Sequence, residues 1–337
     1  MSVANLRRLP ASSFPNAMIL ELLEMLKTTT PLVIFLACVF GSNAEVSAED
    51  FSDIPVIDTH IHLYDTAREE GLPWPPKSDA VLYRPILPAD FDKVADANGV
   101  TATVIVEASE WLPDNKWVLD LVKHDPKRYI GLVGSLEIGT PDFGKNLKEL
   151  SKDERYVGIR MRERPGGKSF FNDAVWRDLK MLADMNQTLD VLMFQFSLED
   201  VAMVAEKLPN LKILINHVAG ANIEGNAADP AWIAGVKKAA AHKNVYCKIS
   251  GLFQQSHRQP SPTNLDFYKT TLDVLTEEFG EDRLIYGSNW PVTMRGGKYG
   301  DYKKVVMDYY APKGRTFVEK LMYRNALAFY GLPALQK

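Results

Sequence analysis

The chain has 337 residues, 46% hydrophobic and 24% charged, which suffices for one large core and suits a single-domain α/β barrel. With a formal net charge of -4, nothing in the composition points to a nucleic-acid-binding surface.

Taken in chain order, the first element is the apolar run PLVIFLACVF at 31–40, preceded by Lys27 and followed by VSA ending at Ala48. The run is short for a membrane span, and small residues stand where a signal peptidase cuts. The pattern predicts a signal segment over 1–48, with translation starting at Met1, Met18 or Met25, and a domain over 49–337 that is periplasmic or extracellular and not inserted in a membrane. A retained anchor helix is the alternative. Cys38 leaves with the segment, and Cys247 stays alone in the apolar stretch VYCKIS as an inert core residue.

Short β-rich runs then alternate with helix-period segments. Strands are predicted at 56–62, 101–107, 130–136, 156–161, 190–195, 212–217, 245–250 and 284–288. Between them, 173–187 places Val175, Leu179, Leu182 and Met185 on one stripe, with Asp173 as N-cap. The segment 198–210 stops at a proline, 264–280 ends in glycine, and 314–331 reads as one closing helix. Eight strand–helix repeats predict an α/β fold, a (β/α)8 TIM barrel. An open doubly wound sheet would want a glycine-rich turn after the first strand, which is missing.

The first strand, VIDTHIH, carries His60 and His62 two residues apart, so both project from one face. A third histidine, His217, ends another apolar strand. Glu107, Glu137, Arg160, Arg162, Gln195, Lys248, Ser250, Ser288 and Asn289 stand at or just past other strand ends. Barrel sites form at that face, and buried polar groups are costly unless paired. Three imidazoles suit a divalent metal or proton transfer. Arg160 and Arg162 suit a bidentate grip on a carboxylate, or salt bridges within the rim. The proline-rich loop 63–89, with Trp74 and Tyr83, is expected to fold over the mouth as a lid; a structural Ω-loop is the alternative. The glycines of RERPGGK and MRGGKYG mark loops on the same face with basic ends that suit an anion.

VIDTHIHLYD, the GLPWPP…YRPILPADF loop, YVGIRMRERP, ILINHVAG, YCKISGL and RLIYGSNWPV occur here in one order. Together, over about residues 54–331, they resemble the amidohydrolase-2 family of metal-dependent or metal-independent TIM-barrel hydrolases, in the branch of sugar-lactone and dicarboxylate-lactone hydrolases. The resemblance implies a small-molecule hydrolase, lactonase-like and acting on carboxylic esters. Its catalytic set would be His60, His62, His217, Glu107 and Asn289; Arg160, Arg162, Trp74, Tyr83 and Gln195 would contact substrate. It further implies either a divalent metal, zinc first, on His60, His62 and His217, or a metal-free site. The family usually has aspartate where this chain has Asn289, in GSNWP. An amide cannot take a proton from water. Three readings follow. Another carboxylate does so, Glu107 first and Glu137 next. Or a neutral histidine does, with Asn289 orienting. Or the chain is a binding protein for sugar acids. A decarboxylase-type lyase is a further class within the superfamily.

Overall fold

The computed structural model describes residues 49–162, 167–193 and 196–335. The predicted signal segment and Gln195 therefore lie outside the described residues.

Eight parallel strands run in sequence order: β1 (Ile57–Ile61), β2 (Ala102–Val106), β3 (Tyr129–Gly134), β4 (Tyr156–Met161), β5 (Thr188–Val191), β6 (Ile213–Ile215), β7 (Val245–Ile249) and β8 (Leu284–Tyr286). The sheet closes where Ile61 bridges Trp290 and the His62 N–H donates to the Trp290 carbonyl at 2.9 Å. The result is the predicted (β/α)8 barrel. Most strands stop one to several residues short of the predicted ends, because the terminal polar residues leave the ladder to serve the mouth.

The period of two sorts each strand into coat-facing and barrel-facing residues. Ile159 and Met161, Leu189 and Val191, and Cys247 and Ile249 pack outward with the helices, so Arg160, Asp190 and Lys248 point into the barrel. The lower interior is filled by Ile57, Val104, Val157, Leu214 and Ile285, plugged by Phe329 and Tyr330 of the last helix.

Helices α1 (Pro88–Ala97), α2 (Leu112–Leu121), α3 (Phe143–Leu150), α4 (Asp173–Asp184), α5 (Leu198–Lys207), α6 (Pro230–Ala240), α7 (Leu252–Gln255), α8 (Asp266–Phe279), α9 (Tyr299–Tyr310), α10 (Arg315–Glu319) and α11 (Asn325–Tyr330) make the coat. Two expectations need correction. The N-cap of α4 is Asn172, whose side chain accepts from the Ala174 and Val175 N–H groups; Asp173 is already inside the helix. The closing helix is not continuous, since a π turn over Lys320–Arg324 separates α10 from α11.

The 63–89 loop is fastened at both ends. Tyr64 and Ile86 exchange backbone hydrogen bonds, Arg68 reaches Asp114 on α2 at 2.8 Å, and Arg295, the basic end of MRGGKYG, is spent on Asp79.

Candidate active site at the barrel mouth

His60 and His62 leave β1 over an anchored carboxylate. Asp58 is fully buried and accepts from the Ser288 and His60 N–H groups at 2.8 and 3.1 Å and from the Tyr299 hydroxyl at 2.9 Å, tying β1 to the segment after β8. Burial pushes its pKa up, and these hydrogen bonds offset part of that cost.

The His60 ring lies between the others, 5.0 Å from His62 and 4.4 Å from His217 between centroids. Both His60 ring nitrogens are buried without a hydrogen-bond partner. His62 Nδ1 donates to the Val106 carbonyl at 2.9 Å, and its Nε2 faces the Asn289 side chain at 3.3 Å.

His217 opens a left-handed turn. Residues 217–220 all have positive φ, including the β-branched Val218 at 46°. That conformation is costly for such a residue, and strain of this kind gathers at functional sites. The turn is held by Trp232 Nε1 donating to the Ala219 carbonyl at 3.0 Å and by the Ser250 hydroxyl, 2.9 Å from His217 Nδ1. A side chain at position 251 would sit 2.9 Å from His217 Cβ, so Gly251, with φ +72°, permits the approach. Asn289 is also left-handed, at φ 60°.

Burial leads the causes that hold all three imidazoles neutral. It depresses His60, next to His217 and Lys248, and His217, beside Arg160, well below the ordinary range. Together with Arg160 it brings His62 down to about 3.

Glu107, just past β2, is 4% exposed and committed. Arg160 Nε reaches its carboxylate at 2.7 Å and Arg160 Nη2 its backbone carbonyl at 2.8 Å; Arg162 binds both carboxylate oxygens. The two arginines also wall a cavity of about 420 Å³, with Ser135, Glu137, Met161 and Phe170 among its lining. Trp74 packs its ring on His62 at 5.4 Å and on Tyr64 at 5.5 Å. Tyr83 is half-buried and makes no ring contact with the histidines among the described residues. Lys248 lies deeper, its ammonium 2.8 Å from Asp190, 2.9 Å from the Thr59 carbonyl and 3.2 Å from the Tyr330 hydroxyl. It braces the barrel interior and is not at the mouth.

The sequence reading missed Gln254. It lies on α7, directly after β7, and its side chain meets Asn289 Nδ2 at 3.4 Å. Its position after a strand end was the only available signal, because glutamine itself carries no motif.

The fold and the site define a (β/α)8 barrel with three clustered imidazoles and an arginine-walled cavity at its C-terminal mouth. The chain belongs to the amidohydrolase family, whose profile matches residues 57–332. It is 29% identical over 250 residues to an L-fucono-1,5-lactonase of Burkholderia ambifaria, covering 73% of this chain and 83% of that protein. It is 26% identical over 259 residues to the L-fucono-1,5-lactonase of Burkholderia multivorans, covering 74% and 86%. The crystal structure of an amidohydrolase from Burkholderia multivorans with bound zinc superposes with a TM-score of 0.74 at 24% identity, covering 82% of this chain and 99% of that one.

Among the described residues, no three His, Cys, Asp or Glu side chains form a set able to hold an ion. Residue 289 is an amide, the Glu107 oxygens belong to two arginines, and Arg160 and Lys248 add positive charge beside the imidazoles. No carboxylate among the described residues is free to offset a divalent charge there, and the neighbouring guanidinium groups oppose it. The residues as arranged do not fit a divalent metal.

Proposed function

We propose that this protein hydrolyses a sugar lactone or a related cyclic ester at the barrel mouth without a metal. The observation that carries the reading is the cluster of three neutral imidazoles beside the arginine-walled cavity. The similarity to L-fucono-1,5-lactonases supports the substrate class.

His217 is the proton acceptor in this reading. In this reading its Nδ1–H donates to Ser250 Oγ, 2.9 Å away, which leaves the lone pair on Nε2, and at 9% His217 is the most exposed of the three histidines. Water attacks the lactone carbonyl as Nε2 takes its proton. The oxyanion is met by guanidinium N–H groups of Arg160 and Arg162 not spent on Glu107. Collapse breaks the bond from the acyl carbon to the ring oxygen, and that oxygen recovers the proton from His217, leaving a hydroxy acid. A depressed pKa makes His217 a weak base. Negative charge developing beside it offsets this, and an ester oxygen leaves with less acid assistance than an amine. Glu107 is thereby reassigned from the water proton to holding the two arginines.

The test is a panel of aldonolactones with acid release followed by a pH indicator. His217→Asn should lower kcat by roughly 10² to 10⁴ with little change in KM. If no lactone opens faster than it does spontaneously, the reading falls. Export is proposed on the run at 31–40 and the small residues before Glu49; mass spectrometry of the native N-terminus checks it.

A further inference from the structure

A buried ion pair beneath the mouth reaches the residue before each of two site histidines. Lys248 of β7 and Asp190 of β5 are both fully buried, with Nζ 2.8 Å from the carboxylate. Lys248 also donates to the Thr59 carbonyl at 2.9 Å, and Thr59 precedes His60. The same Asp190 oxygen accepts from Asn216 Nδ2 at 2.8 Å, and Asn216 precedes His217. The Tyr330 hydroxyl accepts the third ammonium hydrogen and donates to the other carboxylate oxygen at 3.1 Å. Both histidines need such an anchor. The β1–β2 register slips between Asp58 and Ile61, so Thr59 and His60 stand in an irregular part of the ladder, and irregularities of this kind re-aim side chains. The His60 ring nitrogens have no hydrogen-bond partner, so the ring's place is set from its backbone. His217 stands on a left-handed turn that only its attachments sustain. Stability alone does not account for the pair. Two apolar residues of similar volume would fill the space without the cost of desolvating two charges.

We propose that Lys248 and Asp190 are positioning residues, which hold His60 through the Thr59 carbonyl and His217 through Asn216 and so set the 4.4 Å spacing of the two rings. The kinetic consequence rests on the lactonase reading; the spacing itself does not.

Three variants of the full chain separate this role from bracing the fold. Asn216→Ala cuts the arm to His217 and leaves the ion pair intact. It should lower kcat on an aldono-1,5-lactone by about 10- to 100-fold with little change in KM, the effect of a displacement of about 1 Å. Asp190→Asn keeps an oxygen that accepts from both Lys248 and Asn216 but leaves the ammonium without a counter-ion. Its urea midpoint should fall further than that of Asn216→Ala while its kcat stays near wild type. Combining Asp190→Asn with Lys248→Met removes that ammonium. The double variant should regain stability over Asp190→Asn alone and yet lose kcat by the same factor as Asn216→Ala, because the Thr59 carbonyl has lost its donor. Turnover that follows the urea midpoint across the set, or that is unchanged in Asn216→Ala, would make the pair a structural brace and overturn the assignment. Crystal structures of the same variants read the spacing directly. It should hold in Asp190→Asn and change by about 1 Å in the other two. If wild type opens no lactone but the spacing moves in this pattern, the hydrolase reading falls and the positioning role stands. A spacing that moves in none of them overturns the role.

Discussion

Two guanidinium groups on one carboxylate decide what Glu107 can do. Its oxygens are satisfied before any substrate arrives, and it is nearly inaccessible. Removing its charge leaves Arg160 buried without a counter-ion. Glu107→Gln should therefore destabilise the fold by about 3 kcal/mol, as breaking a buried pair does, measured by urea denaturation. It should also raise KM more than it lowers kcat, because the arginines lose their posture. A kcat loss of the general-base size with unchanged KM would return the proton-transfer role to Glu107. Asn289 makes the complementary case. Asn289→Asp adds a carboxylate beside three imidazoles and supplies the anionic donor the set lacks. That variant should retain about one equivalent of zinc after dialysis, where wild type retains little, as read by elemental analysis; chelation should leave wild-type turnover intact.

At the scale of elements, the loop after β1 is both a fixed structure and a neighbour of the histidines. Its ion pairs through Arg68 and Asp79 fasten it to α2 and to the segment after β8, while Trp74 reaches His62. The lid and Ω-loop expectations thus describe two parts of one segment. Trp74→Ala removes contact area and no proton-transfer group, so KM should rise several-fold with kcat nearly unchanged. Equal kinetics in the two proteins would reduce the loop to scaffolding. The turn over 217–220 works differently, because it presents His217 through a backbone that only its packing sustains.

At the scale of the whole molecule, burying three imidazoles links stability to pH. His62 titrates near 3 in the folded protein and near 6.5 when unfolded, and His60 and His217 shift in the same direction. Between those values the unfolded chain binds a proton that the folded one does not, so unfolding takes up protons and acid favours it. This stability is complete above about pH 6.5 and falls by roughly 1.4 kcal/mol per pH unit for each histidine below it. Asp58, raised by burial, opposes this above its unfolded value of 3.8, one group against three. The urea midpoint should therefore drop clearly between pH 7.5 and 5.5, and less steeply in His62→Gln.

The sequence by itself determined the barrel and marked most of the candidate site. A period of two marks buried strands whatever surrounds them, and polar residues at the ends of such strands have no place to go but the mouth. His60, His62, His217, Arg160 and Asn289 were legible on that ground. Which of them pair was not, because pairing depends on distances between strands far apart in the chain. Only the tertiary structure decided that Arg160 and Arg162 satisfy Glu107, that Lys248 turns to Asp190 and Tyr330 in the interior, and that Gln254 completes Asn289. A hydrogen bond commits a group's lone pair or proton to one partner, and closure of the barrel selects that partner.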